Sequence, residues 1–349
     1  MSKSFLKQSL QGFEPYVPGE QPPDDAGWVK LNTNESALPP SPRVIEAIRN
    51  ATGDALRLYP SSTAAPARQA IARRFDLEPA QVMVGNGADE LIEMCFRAFA
   101  GAGDRVAFPT PTYPVLEPLC LMHETPASMH PTELPWELPP TLAADPAHLK
   151  FIANPNSPTG ALFSAEAVEE VVEGSLGVVV IDEAYVDFAP RSSLPLLASH
   201  PNVLLLRTFS KSYALAGLRI GFALGNPDLI AALDLVKESY NVDRLATAAA
   251  VAAIEDETHH RMIVDQVIAN RGALNDALLD LGFEIVPSAA NFLFVKPPRP
   301  AGEVAAGLRE QKILVRHYDR EPIAGWFRVT IGTKEQHERL LAALRGILR

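Results

Sequence analysis

Cysteine is nearly missing from this chain. Only Cys95 and Cys120 occur, each inside an apolar stretch (EMCFRAF and EPLCLM). A disulfide framework is excluded, and both read as buried structural thiols. There is no CxxC pair and no Cys/His cluster, and the eight histidines are scattered, so no zinc-type ligand set is expected. The one adjacent pair, His259-His260, reads as part of a solvated helix face. No apolar run reaches the roughly 18 residues of a membrane helix. The opening MSKSFLKQSLQGFEPYVPGEQ also lacks the apolar core of a secretory signal, and a cytoplasmic protein is expected. Positive charge is in deficit: Lys plus Arg is 31 against 42 for Asp plus Glu, a formal net charge of −11. With no basic block, neither nucleic acid nor an anionic membrane is an expected partner. Any anionic ligand must be met by local positive groups.

What is present is a core-forming chain of 349 residues, 47% hydrophobic, long enough for about two domains. There is no internal repeat. Residues 1–30 are polar and rich in Pro and Gly, and read as an arm. Helix patterns at 41–51 and 66–75 lead into a repeated unit of apolar strand, turn and helix, with strands at 81–84, 105–108, 149–153, 176–181, 203–206 and 218–224. These strands are continuous apolar runs, the mark of a mostly parallel sheet covered on both faces. After about residue 256 the texture changes to a long helix pattern followed by short strands and helices. The expected organisation is therefore an arm (1–30), a large domain (31–256) and a smaller C-terminal α/β domain (257–349).

In a parallel α/β sheet, ligands bind beyond the carboxyl ends of the strands. Just past those ends lie Gly85-Asn86-Gly87-Ala88-Asp89, 109–113 with Tyr113, 154–160, 182–185 and Ser210-Lys211. The GNGADE turn suits phosphate at a helix N-terminus, but it is neither GxGxxG nor GxxxxGK[ST], which removes dinucleotides and nucleoside triphosphates. VVVIDEAY sets Asp182 at a strand end, where it can cap a helix or hold a proton on a ring nitrogen. Lys211 stands between two buried-type runs, LLLRTF and LAGLRIGF, with Arg219 eight residues on; a desolvated lysine with a cationic neighbour is suited to imine chemistry. A phosphate cradle, an acid, an aromatic, a lysine and an arginine together are what pyridoxal 5'-phosphate requires.

The stretches EPYVPGEQP, LNTNESALPPSP, RLYPSST, VGNGADELIE, FPTPTYPVL, VVVIDEAYVDF, RTFSKSYALAGLRIGFALG and ILVRHYDREPIAGWFRVTIGT, in this order, resemble the fold-type-I, class I/II pyridoxal-phosphate aminotransferases. Within these the chain is most similar to the histidinol-phosphate aminotransferase family. The resemblance implies an α/β large domain with a mostly parallel seven-stranded sheet flanked by helices, a smaller C-terminal α/β domain, and a homodimer with shared active sites. It implies transamination between histidinol phosphate and 2-oxoglutarate. Carried over by position, it makes Lys211 the imine-forming lysine and proton shuttle, pairs Asp182 with the pyridine nitrogen, and sets Tyr185 on the phenolic oxygen. Tyr113 would stack on the ring. Gly87, Ala88 and Asp89 with Ser210 and Arg219 would hold the phosphate, with backbone and side chains of Ala88 and Asp89 taking part, and Tyr59 would reach the neighbouring subunit's cofactor. Arg328 would grip the substrate carboxylate, while Tyr16, Asn34 and Arg316 line the substrate side.

Three departures from the family pattern stand out. Ser157 precedes PTG where the family has Asn, so Asn156 is expected on the phenolic oxygen, with Asn154 the alternative. The arm reads Asn34-Glu35-Ser36-Ala37 instead of N-E-N-P, and Arg316 is followed by His317 instead of Asp. The competing functions are an aromatic amino-acid aminotransferase, a threonine-phosphate decarboxylase relative and a non-catalytic pyridoxal-phosphate-binding regulator. The last would carry a DNA-binding helix pair or a basic face, and this chain shows neither.

Overall fold

The computed structural model describes residues 5, 7, 10, 11, 17–23 and 27–349. Strands β1 to β8 are Val29–Lys30, Val82–Gly85, Val106–Thr110, Ala127–Pro131, Leu149–Ala153, Val178–Asp182, Val203–Thr208 and Gly221–Gly225. Strands β9 to β13 are Glu284–Val286, Phe292–Lys296, Ile313–Leu314, Arg316–His317 and Phe327–Thr330. Helices α1 to α5 are Pro42–Ala51, Ala65–Phe75, Gly87–Phe99, Leu116–His123 and Ala165–Glu173. Helices α6 to α10 are Pro227–Val236, Arg244–Glu255, Glu257–Leu279, Ala301–Glu310 and Lys334–Ile347.

Seven strands form one sheet in the order β2-β8-β7-β6-β5-β3-β4. The pairs from β4 through β7 are parallel, while β8 runs antiparallel to both its neighbours. The continuous apolar runs have their cause here. Along β7, Val203 and Leu205 face a core shared with α1, α2, α5 and α7, whereas Leu204 and Leu206 face one shared with α3, α4 and α6. Side chains alternate across a strand, so a strand covered on both faces needs an apolar residue at every position. Cys95 and Cys120 lie in the second core. Burial pushes both thiols up, Cys120 to about 11, which keeps them protonated and inert. Helix starts follow the expected chemistry: Ser41 accepts from the Arg43 N–H with Pro42 in the first turn, and Thr333 with Gln336 forms a capping box.

A second sheet, β12-β13-β10-β9, is antiparallel. Together with α8, α9 and α10 it encloses a separate apolar core. Val29 and Leu31 pack into this core, because β1 pairs in parallel with β11. The stretch 29–31 is thus fastened to the C-terminal lobe. No described helix is long and apolar enough to cross a membrane.

The topology sets the site. Strands β2, β3, β5, β6 and β7 all end on one edge of the sheet. Reversal of β8 brings its start to the same edge, with Gly221 opposite both Gly85 and Thr208. Arg219, two residues before, therefore arrives beside the turn after β2.

Candidate active site

Lys211 follows β7 in a turn without ladder hydrogen bonds. Its Nζ lies 3.5 Å from the Thr33 carbonyl oxygen and 5.7 Å from the centre of the Tyr185 ring. Burial, and then the Arg328 charge, depress its pKa to about 8. A lysine shifted this way offers a larger share of neutral amine near neutrality, as nucleophilic attack on a carbonyl requires.

Asp182 is the last residue of β6. Burial raises its carboxyl to about 6, against the lowering effect of the Ala184 N–H, which donates to its Oδ1 at 3.0 Å. One oxygen caps the following turn, and burial disfavours the charged form of the carboxyl. The charges of Asp89 and Lys211 also act on it.

Tyr185 is fixed by the Asn34 Nδ2, which donates to its hydroxyl at 2.9 Å, and by Phe292 edge-on at 5.0 Å. Burial pushes its phenol up, while Arg328 pulls it down. Asn34 is itself locked, with φ 56°, its N–H donating to Thr330 Oγ1 at 3.0 Å and its Oδ1 accepting from the same hydroxyl at 3.1 Å.

At the anion end, Arg219 Nη2 meets Asp89 Oδ2 at 3.0 Å, Arg219 Nη1 reaches Ser210 Oγ at 3.4 Å, and Tyr113 donates to Asp89 Oδ1 at 2.9 Å. Gly87 opens α3 with φ 83°, and the Asn86 side chain does not cap that helix. The N–H groups of the first turn are therefore available to an anion. The Asp89 carboxylate has the wrong sign to hold phosphate and is committed to Arg219 and Tyr113; only its N–H suits that role. The ion pair with Arg219 is half exposed, hence weak, and Arg219 can release it for a stronger anion.

Arg328 donates from Nη1 to Ser157 Oγ at 3.3 Å and from Nη2 to the Asn32 carbonyl at 3.1 Å, with its guanidinium 5.1 Å above the Phe292 ring. Its buried Nε has no hydrogen-bond partner among the described residues. Arg316 sits directly opposite Arg328 across the β12–β13 pair and donates to the Val17 carbonyl at 2.7 Å.

The structure thus brings together Lys211, Asp182, Tyr185, Gly87, Ala88, Asp89, Tyr113, Ser210, Arg219, Asn34 and Arg328. Tyr59 is apart from this group. It is 78% exposed and stacks on Tyr240 at 4.4 Å. Tyr16 lies outside the described residues. Asn156 spends its amide on the protein: its Oδ1 accepts from the Thr159 hydroxyl in its own turn at 2.9 Å and its Nδ2 donates to the Pro111 carbonyl of the loop after β3 at 3.4 Å. Asn154 likewise accepts the Phe163 N–H at 2.9 Å. Ser157, by contrast, contacts both Arg328 and the Tyr185 hydroxyl. The signal for it was the departure before PTG. Thr33 and Phe292 carried no signal of their own.

His260 corrects the reading of His259-His260 as a solvated face. Its ring stacks on Tyr213 at 4.1 Å and its Nε2 lies 3.3 Å from Asp187 Oδ2. The start of α8 lies against the lysine turn, so the face that looks polar in sequence is covered by polar partners.

Residues 26–344 match the family model for aminotransferases of class I and II, and the chain belongs to that family of transferases. It is 47% identical to a histidinol-phosphate aminotransferase of Aromatoleum aromaticum, over 97% of this chain and 98% of the relative. It is 45% identical to that of Acetobacter pasteurianus, over 99% and 98%. Among solved structures, a histidinol-phosphate aminotransferase of Sinorhizobium meliloti in complex with pyridoxal-5'-phosphate superposes with a TM-score of 0.91 at 28% identity, covering 100% of this chain and 98% of that one.

Proposed function

We propose that this protein is a pyridoxal-phosphate-dependent aminotransferase of histidine biosynthesis. It passes the amine of histidinol phosphate to 2-oxoglutarate, giving imidazole-acetol phosphate and glutamate. The observation that carries the reading is the meeting of a half-buried amine, Lys211, and a half-buried carboxylate, Asp182, at the ends of adjacent strands, beside an anion cradle made by Gly87, Ser210 and Arg219. The residues fit the cofactor. The Arg219 guanidinium packs where a side chain at position 87 would stand, so this backbone is kept bare for close approach.

When bound, the cofactor supplies an aldehyde that captures amines and a protonated ring that accepts electrons. The protein provides the rest. Asp182 is an anionic acceptor for a ring N–H in a dry site, where such a contact is strong. Lys211 would hold the cofactor through its Nζ, and the same amine would serve to move a proton from the donor's α-carbon; acid–base help of this kind contributes roughly 10²–10⁴-fold. Tyr185 offers its hydroxyl as a donor, oriented by Asn34.

Arg316 and Arg328 stand directly opposite each other on paired strands. Their guanidinium groups suit a substrate phosphate in one half-reaction and the carboxylates of 2-oxoglutarate in the other. Action in the cytoplasm agrees with two buried free thiols.

A homodimer is part of the reading. Leu56, Leu58, Tyr59 and Tyr240 are all roughly half or more exposed, and Tyr59 stacks on Tyr240, apolar surface that a second copy would cover. Such a copy would bring Tyr59 to the other subunit's anion cradle.

The test is a substrate comparison on purified protein loaded with cofactor: histidinol phosphate against phenylalanine, each with 2-oxoglutarate. A strong preference for histidinol phosphate is expected. Preference for phenylalanine would make the enzyme an aromatic aminotransferase, and carbon dioxide release without keto-acid exchange would make it a decarboxylase.

A further inference from the structure

Lys211 lies in a segment that the sheet does not hold. After Thr208 the chain leaves β7. The turn is closed by Phe209, whose carbonyl accepts the Leu215 N–H at 3.0 Å, and Ala214 takes φ 58°. The two residues after the lysine are instead fixed through side chains. Ser212 is 1% exposed and donates its hydroxyl to Asp187 Oδ2 at 2.5 Å. Tyr213 is 7% exposed, with its ring stacked on that of His260 at 4.1 Å and 14°.

His260 ties the two anchors together, because its Nε2 also approaches Asp187 Oδ2 at 3.3 Å. Behind them, Arg207 Nη1 stands 3.7 Å from Asp187 Oδ1 and Arg207 Nη2 stands 2.8 Å from Glu183 Oε2. Glu183 in turn accepts from the Ser192 hydroxyl and the Ser193 N–H. Every charged member of this buried cluster is paired, which makes it rigid.

His260 belongs to α8, the long helix of the C-terminal lobe. Residues of that helix, Ile263, Val267 and Leu274, share a core with Leu293 of β10 and with Phe327 and Val329 of β13, the strand that carries Arg328. One helix therefore touches both the lysine turn and the packing under the substrate-side arginine.

We propose that His260 is a positioning residue for Lys211: through its ring on Tyr213 and its contact with Asp187 it holds the lysine turn and joins it to the lobe that bears Arg328. The proposal rests on the reading of Lys211 as the cofactor-bound lysine. It makes His260 act on the proton transfer at Lys211 and not on ground-state binding of the donor. Loss of the anchor leaves substrate contacts intact while the amine drifts from its line of attack. A displacement of about 1 Å at such a group can cost up to about a hundredfold in rate.

The experiment compares the cofactor-loaded wild type with His260→Ala, His260→Phe and Ser212→Ala. It measures kcat and KM for histidinol phosphate, the visible spectrum with its loss on borohydride treatment, and melting temperature. His260→Ala is expected to lower kcat about tenfold or more with KM nearly unchanged, the signature of an interaction made in the transition state. His260→Phe restores the stack and should recover most of kcat. Ser212→Ala, which removes one hydroxyl, should lower kcat in the same manner but less. An unchanged kcat in both His260→Ala and Ser212→Ala would overturn the proposal. So would losses in kcat that simply follow melting temperature, with no recovery in His260→Phe. A wild-type protein with no visible band and no reaction with borohydride would overturn the reading of Lys211 itself, and the proposal with it.

Discussion

Arg219 and Gly87 occupy complementary space: a Cβ placed on residue 87 would stand 2.7 Å from Arg219 Nη2. The glycine is needed twice over, since its φ of 83° also disfavours any side chain. Gly87→Ala should cost about 1–3 kcal/mol of folding stability through backbone strain. The clash itself meets the end of a flexible side chain, so Arg219 moves instead of the fold breaking. Its displacement from Ser210 disarms the anion cradle, and affinity for pyridoxal phosphate is expected to fall about tenfold or more. Titration of cofactor-free protein measures this directly. Unchanged affinity in a folded Gly87→Ala protein would show that the phosphate lies elsewhere.

Asp182 makes the cofactor-free protein sensitive to pH. Burial lifts its carboxyl from 3.8 to about 6. A carboxyl raised on folding binds more protons in the folded state, so stability falls as pH rises from about 4 through about 6. Asp182→Asn removes the buried charge. Without cofactor it should be more stable than wild type at about pH 8, by about 1–3 kcal/mol, and equal to it below about pH 4. Denaturant midpoints at the two pH values test this. The same substitution should abolish transamination, since Asn cannot keep a ring nitrogen protonated. A variant no more stable at high pH would mean that the carboxylate is solvated or neutralised in the folded chain.

Why some of this was legible in the sequence and some was not follows from what each residue packs against. Lys211 and Asp182 stood out because doubly covered strands leave unbroken apolar runs, and a charge at the end of such a run is conspicuous. Strand β4 was missed: as an edge strand its residues alternate between exposed and half-buried, and ASMHP offers no apolar contrast. Helix α7 was missed as well, because RLATAAAVAAIE has too many alanines for a clear face. His260 was misread since its partners, Asp187 and Tyr213, are distant in sequence. The family resemblance named the position before PTG, but only the fold shows that Asn156 turns inward while Ser157 faces Arg328.

Within a single chain Tyr59 stands apart from the cluster, 78% exposed and stacked on Tyr240. If it serves the neighbouring subunit, Tyr59→Ala and Lys211→Ala proteins will each be poorly active alone. Subunits mixed under conditions that allow exchange would then form hybrids with one intact site, made of the lysine of one chain and the tyrosine of the other. Activity above the sum of the two parents is expected. A strictly additive result, with hybrids shown to form, would confine Tyr59 to its own chain and remove it from the site.

Ser157 and Asn156 make opposite predictions at adjacent positions. Asn156 is 2% exposed, with its oxygen bonded inside the turn to Thr159 and its nitrogen donating to the Pro111 carbonyl. Asn156→Ala leaves those buried partners unpaired, which should cost about 1–3 kcal/mol of stability while cofactor affinity per folded molecule is unchanged. Ser157 spends its hydroxyl on Arg328 at 3.3 Å and on Tyr185. Ser157→Ala should therefore fold normally and loosen the arginine, raising KM for the amino donor roughly three- to tenfold, the size of one charge-assisted hydrogen bond partly replaced by water. Melting curves, cofactor titration and initial rates on the two variants separate the roles. Loss of cofactor affinity in Asn156→Ala at full stability, with Ser157→Ala silent, would hand the site role back to the asparagine.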